Sequence, residues 1–107
     1  MMARLHLPKS ARARWLDTAP DYVLDCFDNG GKTADRYTVA LILDGADNAS
    51  YLGMSSDPTS PQGFSQWGEF AGVELTNYRY HYRRHRVRWL DLPDHIRKHV
   101  RARVEEA

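Results

Sequence analysis

CFDNGGKT, residues 26–33, closes with Gly31-Lys32-Thr33 directly after an apolar run, as a phosphate-binding loop does, and its reading decides between two folds. A Walker-type loop carries a first glycine five positions before the second and launches a helix at its lysine, so that free amides point at the phosphates. Here Cys26 stands where the first glycine belongs, and the following Arg36-Tyr37-Thr38-Val39 is β-branched and aromatic. That stretch favours a strand, which gives the anion neither a helix dipole nor free amides. Asp28-Asn29-Gly30-Gly31 is better read as a tight reversal, because these residue types tolerate positive φ.

Working outward, residues 21–28 alternate, with Tyr22, Leu24 and Cys26 on one face and Val23, Asp25 and Phe27 on the other. Residues 35–43 alternate again, placing Tyr37, Val39, Leu41 and Leu43 together. The pair predicts a β-hairpin. Asp44 to Asn48 is a second turn signal, and residues 50–54 return as a third strand. Pro58 and Pro61 among serines predict a long loop over 55–70 with Phe64, Trp67 and Phe70 as anchors; Gln62, Phe64 and Trp67 are its candidate contact residues. Residues 73–89 read as strand-like, with a turn near Arg83-Arg84 where the alternation changes phase. Asp91-Leu92-Pro93-Asp94 starts a helix to about Glu105, with Asp91 as cap and Leu92, Ile96, Val100 and Val104 as an apolar stripe. At the other end, residues 1–8 read as a flexible arm and 9–18 as a short helix stopped by Pro20.

The 107 residues, 42% hydrophobic and 11% aromatic, are enough for one core, so the chain reads as a single domain. No apolar run reaches the ~20 residues of a membrane span, and the first ten residues lack a signal-peptide pattern. The lone Cys26 excludes an internal disulfide and thiolate metal clusters, which fits a cytoplasmic setting. The net charge of +1 conceals an asymmetry. From Asp17 to Glu74, ten acidic residues face only Lys32 and Arg36; from Arg79 to Arg103, nine basic residues face Asp91 and Asp94. Such a split suits an anionic partner or complementary halves of one fold.

Among candidate sites, His95 and His99 with Asp91 share one side of the C-terminal helix and could ligate a metal given a fourth group. A solvated face explains the same spacing. His81 and His85, on a strand, stand ~13 Å apart and cannot share an ion. Asp25, Asp28 and Asp35 could gather around a divalent ion, although turn formation accounts for them too. Cys26 could act as a nucleophile, but its alternating position marks it as a small core hydrophobe. The strongest pattern is Tyr78-Arg79-Tyr80-His81-Tyr82-Arg83-Arg84-His85-Arg86-Val87-Arg88-Trp89. On a strand it has one aromatic and one cationic face, suiting single-stranded nucleic acid or an acidic protein. Tyr80, Tyr82, Arg83, Arg84, Arg86 and Arg88 are its contact residues.

Asp28-Asn29-Gly30-Gly31, Thr33, Asp35-Arg36-Tyr37-Thr38, Pro61-Gln62-Gly63-Phe64, Gly68-Glu69 and Asp91-Leu92-Pro93 together resemble a group of small uncharacterised proteins encoded by phages, plasmids and integrated elements. In that group a histidine often precedes Pro-Gln-Gly; here Ser60 does, which argues against a catalytic role carried over through that position. The resemblance implies a host-directed binder, including an inhibitor of a defence nucleoprotein such as a CRISPR complex.

The expected molecule is an α+β domain: an antiparallel sheet of about four strands with a C-terminal helix packed on one face. The leading function is a non-enzymatic binding protein that occupies a surface of a host protein or nucleoprotein without a cofactor. Single-stranded nucleic-acid binding by residues 78–89 and a small metal-dependent enzyme are the alternatives.

Overall fold

Beyond the turn at Gly30 the chain enters a strand, as the β-branched run at Tyr37 predicts. The computed structural model describes residues 18–30 and 35–106; the expected arm, the N-terminal helix and Gly31-Lys32-Thr33 lie outside them. Strands β1 (Val23–Asp28), β2 (Tyr37–Leu41), β3 (Ala49–Met54) and β4 (Ser65–Phe70) form an antiparallel meander. Helix α1 (Glu74–His81) then crosses one sheet face to a two-residue strand β5 (Arg86–Val87), which pairs with β1. The sheet order is β4-β3-β2-β1-β5, and helix α2 (Asp94–Glu105) covers the opposite face. The α+β class and the packed C-terminal helix agree with the sequence reading.

The first reversal closes through an Asx-type contact. Gly30, at φ +67°, donates its amide to Asp28 Oδ1 at 2.8 Å, a left-handed conformation that glycine adopts without a Cβ clash. Asp28 pairs with Tyr37 in the ladder, and the Asn29 amide bonds the Arg36 carbonyl at 2.7 Å. The connection thus spans residues 29–36 and is longer than the tight turn expected.

On β1 the strict alternation fails. The register against β2 shifts between Val23 and Asp25, a bulge that puts one extra residue on β1. Val23 and Cys26 therefore both enter the core under α2, while Leu24 joins the core under α1. Asp25 likewise turns to the α1 side, where it meets Arg79. Under α2 the core comprises Tyr37, Val39, Leu41, Leu52 and Met54 from the sheet against Leu92, Ile96 and Val100, with Trp89 alongside. Cys26 has no exposed surface, in agreement with a space-filling role.

Two segments depart from the sequence reading. Residues 65–70 are not loop but edge strand, because every residue pairs with β3, from Met54↔Ser65 to Ala49↔Phe70. Ser, Gln and Gly are weak strand formers, so cross-strand pairing overrides local preference here. Residues 73–89 are mainly helix and 3-10 turns, not a strand hairpin. The tyrosines at 78, 80 and 82 read equally as period two, but Leu75, Tyr78, Arg79 and Tyr82 form an i, i+3, i+4, i+7 stripe toward the sheet. Glu74 in the first turn and Arg79 and His81 in the last complement the helix dipole.

Candidate functional site

Recasting residues 74–81 as a helix takes the proposed Tyr/Arg ridge apart. Asp25, fully buried, is held by Arg79 Nε at 3.1 Å and Arg86 NH2 at 2.7 Å. Arg86 is therefore a structural residue that ties β5 to the bulge of β1. Arg88 pairs with Asp91 at 3.0 Å, and its backbone amide bonds the same carboxylate at 2.9 Å. Asp91 thus caps the 3-10 turn 89–91, while Pro93 occupies the start of α2. Tyr82 stacks on Tyr78 at 4.3 Å between centroids and touches His81 and His85. Of the six predicted contact residues, Tyr80, Arg83 and Arg84 remain exposed together at the C-terminal end of α1. Arg83 lies over the Tyr80 ring at 4.6 Å and donates to the Tyr80 carbonyl at 2.7 Å, which brings the two side chains together.

The candidate metal sets are not assembled among the described residues. Among the described residues no group of three histidine, cysteine or carboxylate side chains converges. His95 Nε2 meets the Ser56 carbonyl at 2.8 Å, and His99 Nε2 meets Ser65 Oγ at 2.7 Å. Both histidines thus fasten α2 to the ends of the 55–64 loop. Burial, and next the positive charge of Arg103, push His99 below the usual imidazole range. Asp25, Asp28 and Asp35 part company as well. Asp28 pairs with Arg36 at 3.1 Å; burial raises its pKa, but the Arg36 hydrogen bond, the Gly30 amide and nearby positive charge outweigh this and hold it below the ordinary carboxylate value.

The loop candidates are dispersed. Gln62 is exposed and Phe64 partly covered, with its backbone clasped by Ser55. Trp67 lies on the α2 side under Arg103, whose guanidinium is 5.4 Å from the ring centroid.

On the opposite face lies a feature the sequence reading missed. An open groove of ≈ 890 Å³ runs between α1 and strands β2 to β4. Its aromatic wall is continuous: Tyr51 and Phe70 are 5.0 Å apart, and Phe70 and Tyr78 5.4 Å. Two strand glycines keep the floor open. A Cβ on Gly68 would collide with the hydroxyl end of Tyr51, at Cζ and the phenol oxygen, and one on Gly53 would come 3.3 Å from Asp35 Oδ2. Isolated glycines inside strands were the available sequence signal, since they mark close approach. Thr38, 2% exposed, also lines the groove beside the Tyr78 phenol. Burial raises the Tyr78 pKa, partly offset by the Thr38 and Asn29 side chains, so the phenol stays neutral and can donate. Asp35, Glu69, Glu74 and His81 stand in the lining, which includes no lysine or arginine among the described residues.

No helix among the described residues is long and apolar enough to cross a membrane. Compared with protein-family models, curated proteins and solved structures, the chain has no significant match.

Proposed function

We propose that this chain is a non-enzymatic binding protein that occupies a surface of another protein, with Tyr80, Arg83 and Arg84 as its principal contacts. The observation that carries the reading is their exposed grouping at the end of α1, with Arg83 against the Tyr80 ring, while Arg79 and Arg86 are consumed by the buried Asp25 carboxylate and Arg88 pairs on the surface with Asp91. Tyrosine and arginine are the residue types that most often anchor protein interfaces, and a pre-positioned pair loses little rotamer freedom on binding. The groups best suited to chemistry have structural duties instead: Cys26 fills the core, His95 and His99 hold the loop, and Asp25 neutralises two arginines. The resemblance to mobile-element proteins suggests a host protein or nucleoprotein as the partner, including a defence complex of the CRISPR type.

Nucleic acid fits this surface less well. One face of Tyr80 is already covered by Arg83, and carboxylates flank the patch along the groove, where phosphates would be repelled. The test is affinity capture from host lysate, with and without nuclease, using the native chain and an Arg83→Glu/Arg84→Glu variant. A protein complex that survives nuclease and is lost with the variant supports the reading. Loss of all captured material on nuclease treatment overturns it in favour of nucleic acid.

A further inference from the structure

The sheet ends at β4, whose residues Ser65–Phe70 pair on one side only, with β3. The Ser55 amide donates to the Phe64 carbonyl at 3.1 Å, and the Phe64 amide donates back to Ser55 Oγ, so Phe64 turns both backbone groups toward β3. Hydrogen-bonded and non-hydrogen-bonded pairs alternate along an antiparallel ladder, which turns the N–H and C=O of Ser65, Trp67 and Glu69 outward. Edge strands are normally blunted by proline, lysine, a bulge or shortness. At the far edge β5 is only Arg86–Val87, whereas β4 keeps an unbroken register along its length and carries neither proline nor lysine.

Two side chains beside this edge carry opposite charges without a counter-ion. Ser65 and Trp67 point to the α2 side, where Arg103 donates to Ser65 Oγ at 2.7 Å and lies 5.4 Å from the Trp67 ring centroid. No carboxylate among the described residues pairs with Arg103. Glu69 follows on the same side by alternation. It is exposed, accepts a long 3.5 Å contact from Asn48 Nδ2, and meets no cation among the described residues.

We propose that β4 pairs antiparallel with β4 of a second copy of this chain, joining the two sheets into one across a twofold axis at Trp67. With Trp67 opposite Trp67 of the partner subunit, Ser65 stands opposite the partner's Glu69, and the outward amides and carbonyls of all these residues are paired. Residues directly opposite in such a pair have Cα atoms about 5.5 Å apart, so the Glu69 carboxylate comes within ion-pair reach of Arg103 of the partner subunit. The same symmetry operation answers both lone charges, twice over, which is why a second copy fits this edge better than an unrelated strand. The axis is perpendicular to the sheet, so both α1 helices lie on one face and the Tyr80, Arg83 and Arg84 patch is presented twice. The dimer itself does not rest on the function given to that patch.

Sedimentation equilibrium of the purified chain is the test. A monomer–dimer equilibrium in the micromolar range is expected, as suits a small edge-to-edge interface. Glu69→Arg sets like charges against Arg103 and should weaken the dimer at least about tenfold, as should Arg103→Glu. Glu69→Arg/Arg103→Glu, in which the charges exchange places, should return it to within about threefold of the native chain. Glu69→Pro removes an outward N–H and leaves the β3 ladder intact. It should abolish the dimer while circular dichroism stays native, and it serves as the check if Arg103→Glu, which loses the Ser65 contact, does not fold. A chain that stays monomeric at about 0.5 mM, well above a micromolar Kd, would overturn the proposal. So would a dimer indifferent to Glu69→Pro, or a folded charge-exchange variant that does not recover. The Arg83→Glu/Arg84→Glu variant should dimerise like the native chain, so the edge and the α1 patch fail separately.

Discussion

The carboxylate of Asp25, without any exposed surface, sits 2.7 Å from the guanidinium of Arg86 while Arg79 approaches its same oxygen at 3.1 Å. One buried anion thus joins three elements: the bulge of β1, the helix α1 and the short strand β5. Removing it leaves two largely covered guanidinium groups facing each other without their shared carboxylate. Asp25→Ala is expected to destabilise the fold by about 3 kcal/mol, after allowing for the part of each arginine that water reaches. Urea denaturation followed by circular dichroism checks this; a loss below about 1 kcal/mol would show that the triad is not a structural anchor.

Neighbouring arginines should respond in opposite ways. Arg84→Ala, at an exposed position, is expected to change stability by less than about 0.5 kcal/mol and to weaken partner capture. Arg86→Ala should do the reverse, lowering the unfolding midpoint through the loss of the Asp25 contact. Parallel melting and capture experiments on the two variants separate surface from scaffold.

Gly68→Ala brings a Cβ into the space of the Tyr51 ring. Because β4 is hydrogen-bonded along its whole length to β3, the backbone cannot yield and the ring must. The expected cost is on the order of 1–3 kcal/mol, with altered shifts for Tyr51 and Phe70 in the NMR spectrum. An unperturbed Tyr51 would mean the strand gives way instead.

The protonation of His99 sets a pH dependence. Its folded pKa lies below the ordinary value of 6.5, so the unfolded chain binds a proton more readily. Stability is therefore full above about pH 6.5 and declines as pH falls from there through the folded pKa. His99→Gln should flatten the slope of the urea midpoint between about pH 7.5 and 5.5. The lowered pKa values of Asp28, Asp91 and Asp94 act in a separate window, below their ordinary 3.8, so they do not obscure the histidine step.

Where one signal dominated, the sequence read correctly. The β-branched run after Lys32 gave β2, and the four-residue spacing of Leu92, Ile96, Val100 and Val104 gave the face of α2. Errors arose where two periods coincided or where pairing outweighed preference. Tyr78 and Tyr82 satisfy both helical and extended spacing, and only the sheet beneath them decides. The residues of β4 carry little strand preference of their own; they extend because β3 offers a full ladder. The bulge at Leu24 and Asp25 is invisible locally, and it determines which side Asp25 faces. The groove escaped notice because its floor is defined by the side chains Gly53 and Gly68 lack.

The route of the chain also orders its assembly in time. Strands β1 to β4 are neighbours in sequence, so each reversal closes a short loop, whereas Cys26 must wait for Val87 from the far end of the chain. The meander can therefore zip up early, and the α1–β5 segment docks late. Leu75 is the only fully buried residue of α1, so that helix holds to the sheet largely through this side chain and the Asp25–Arg79 contact. Hydrogen exchange should be faster there than in the fully buried β2.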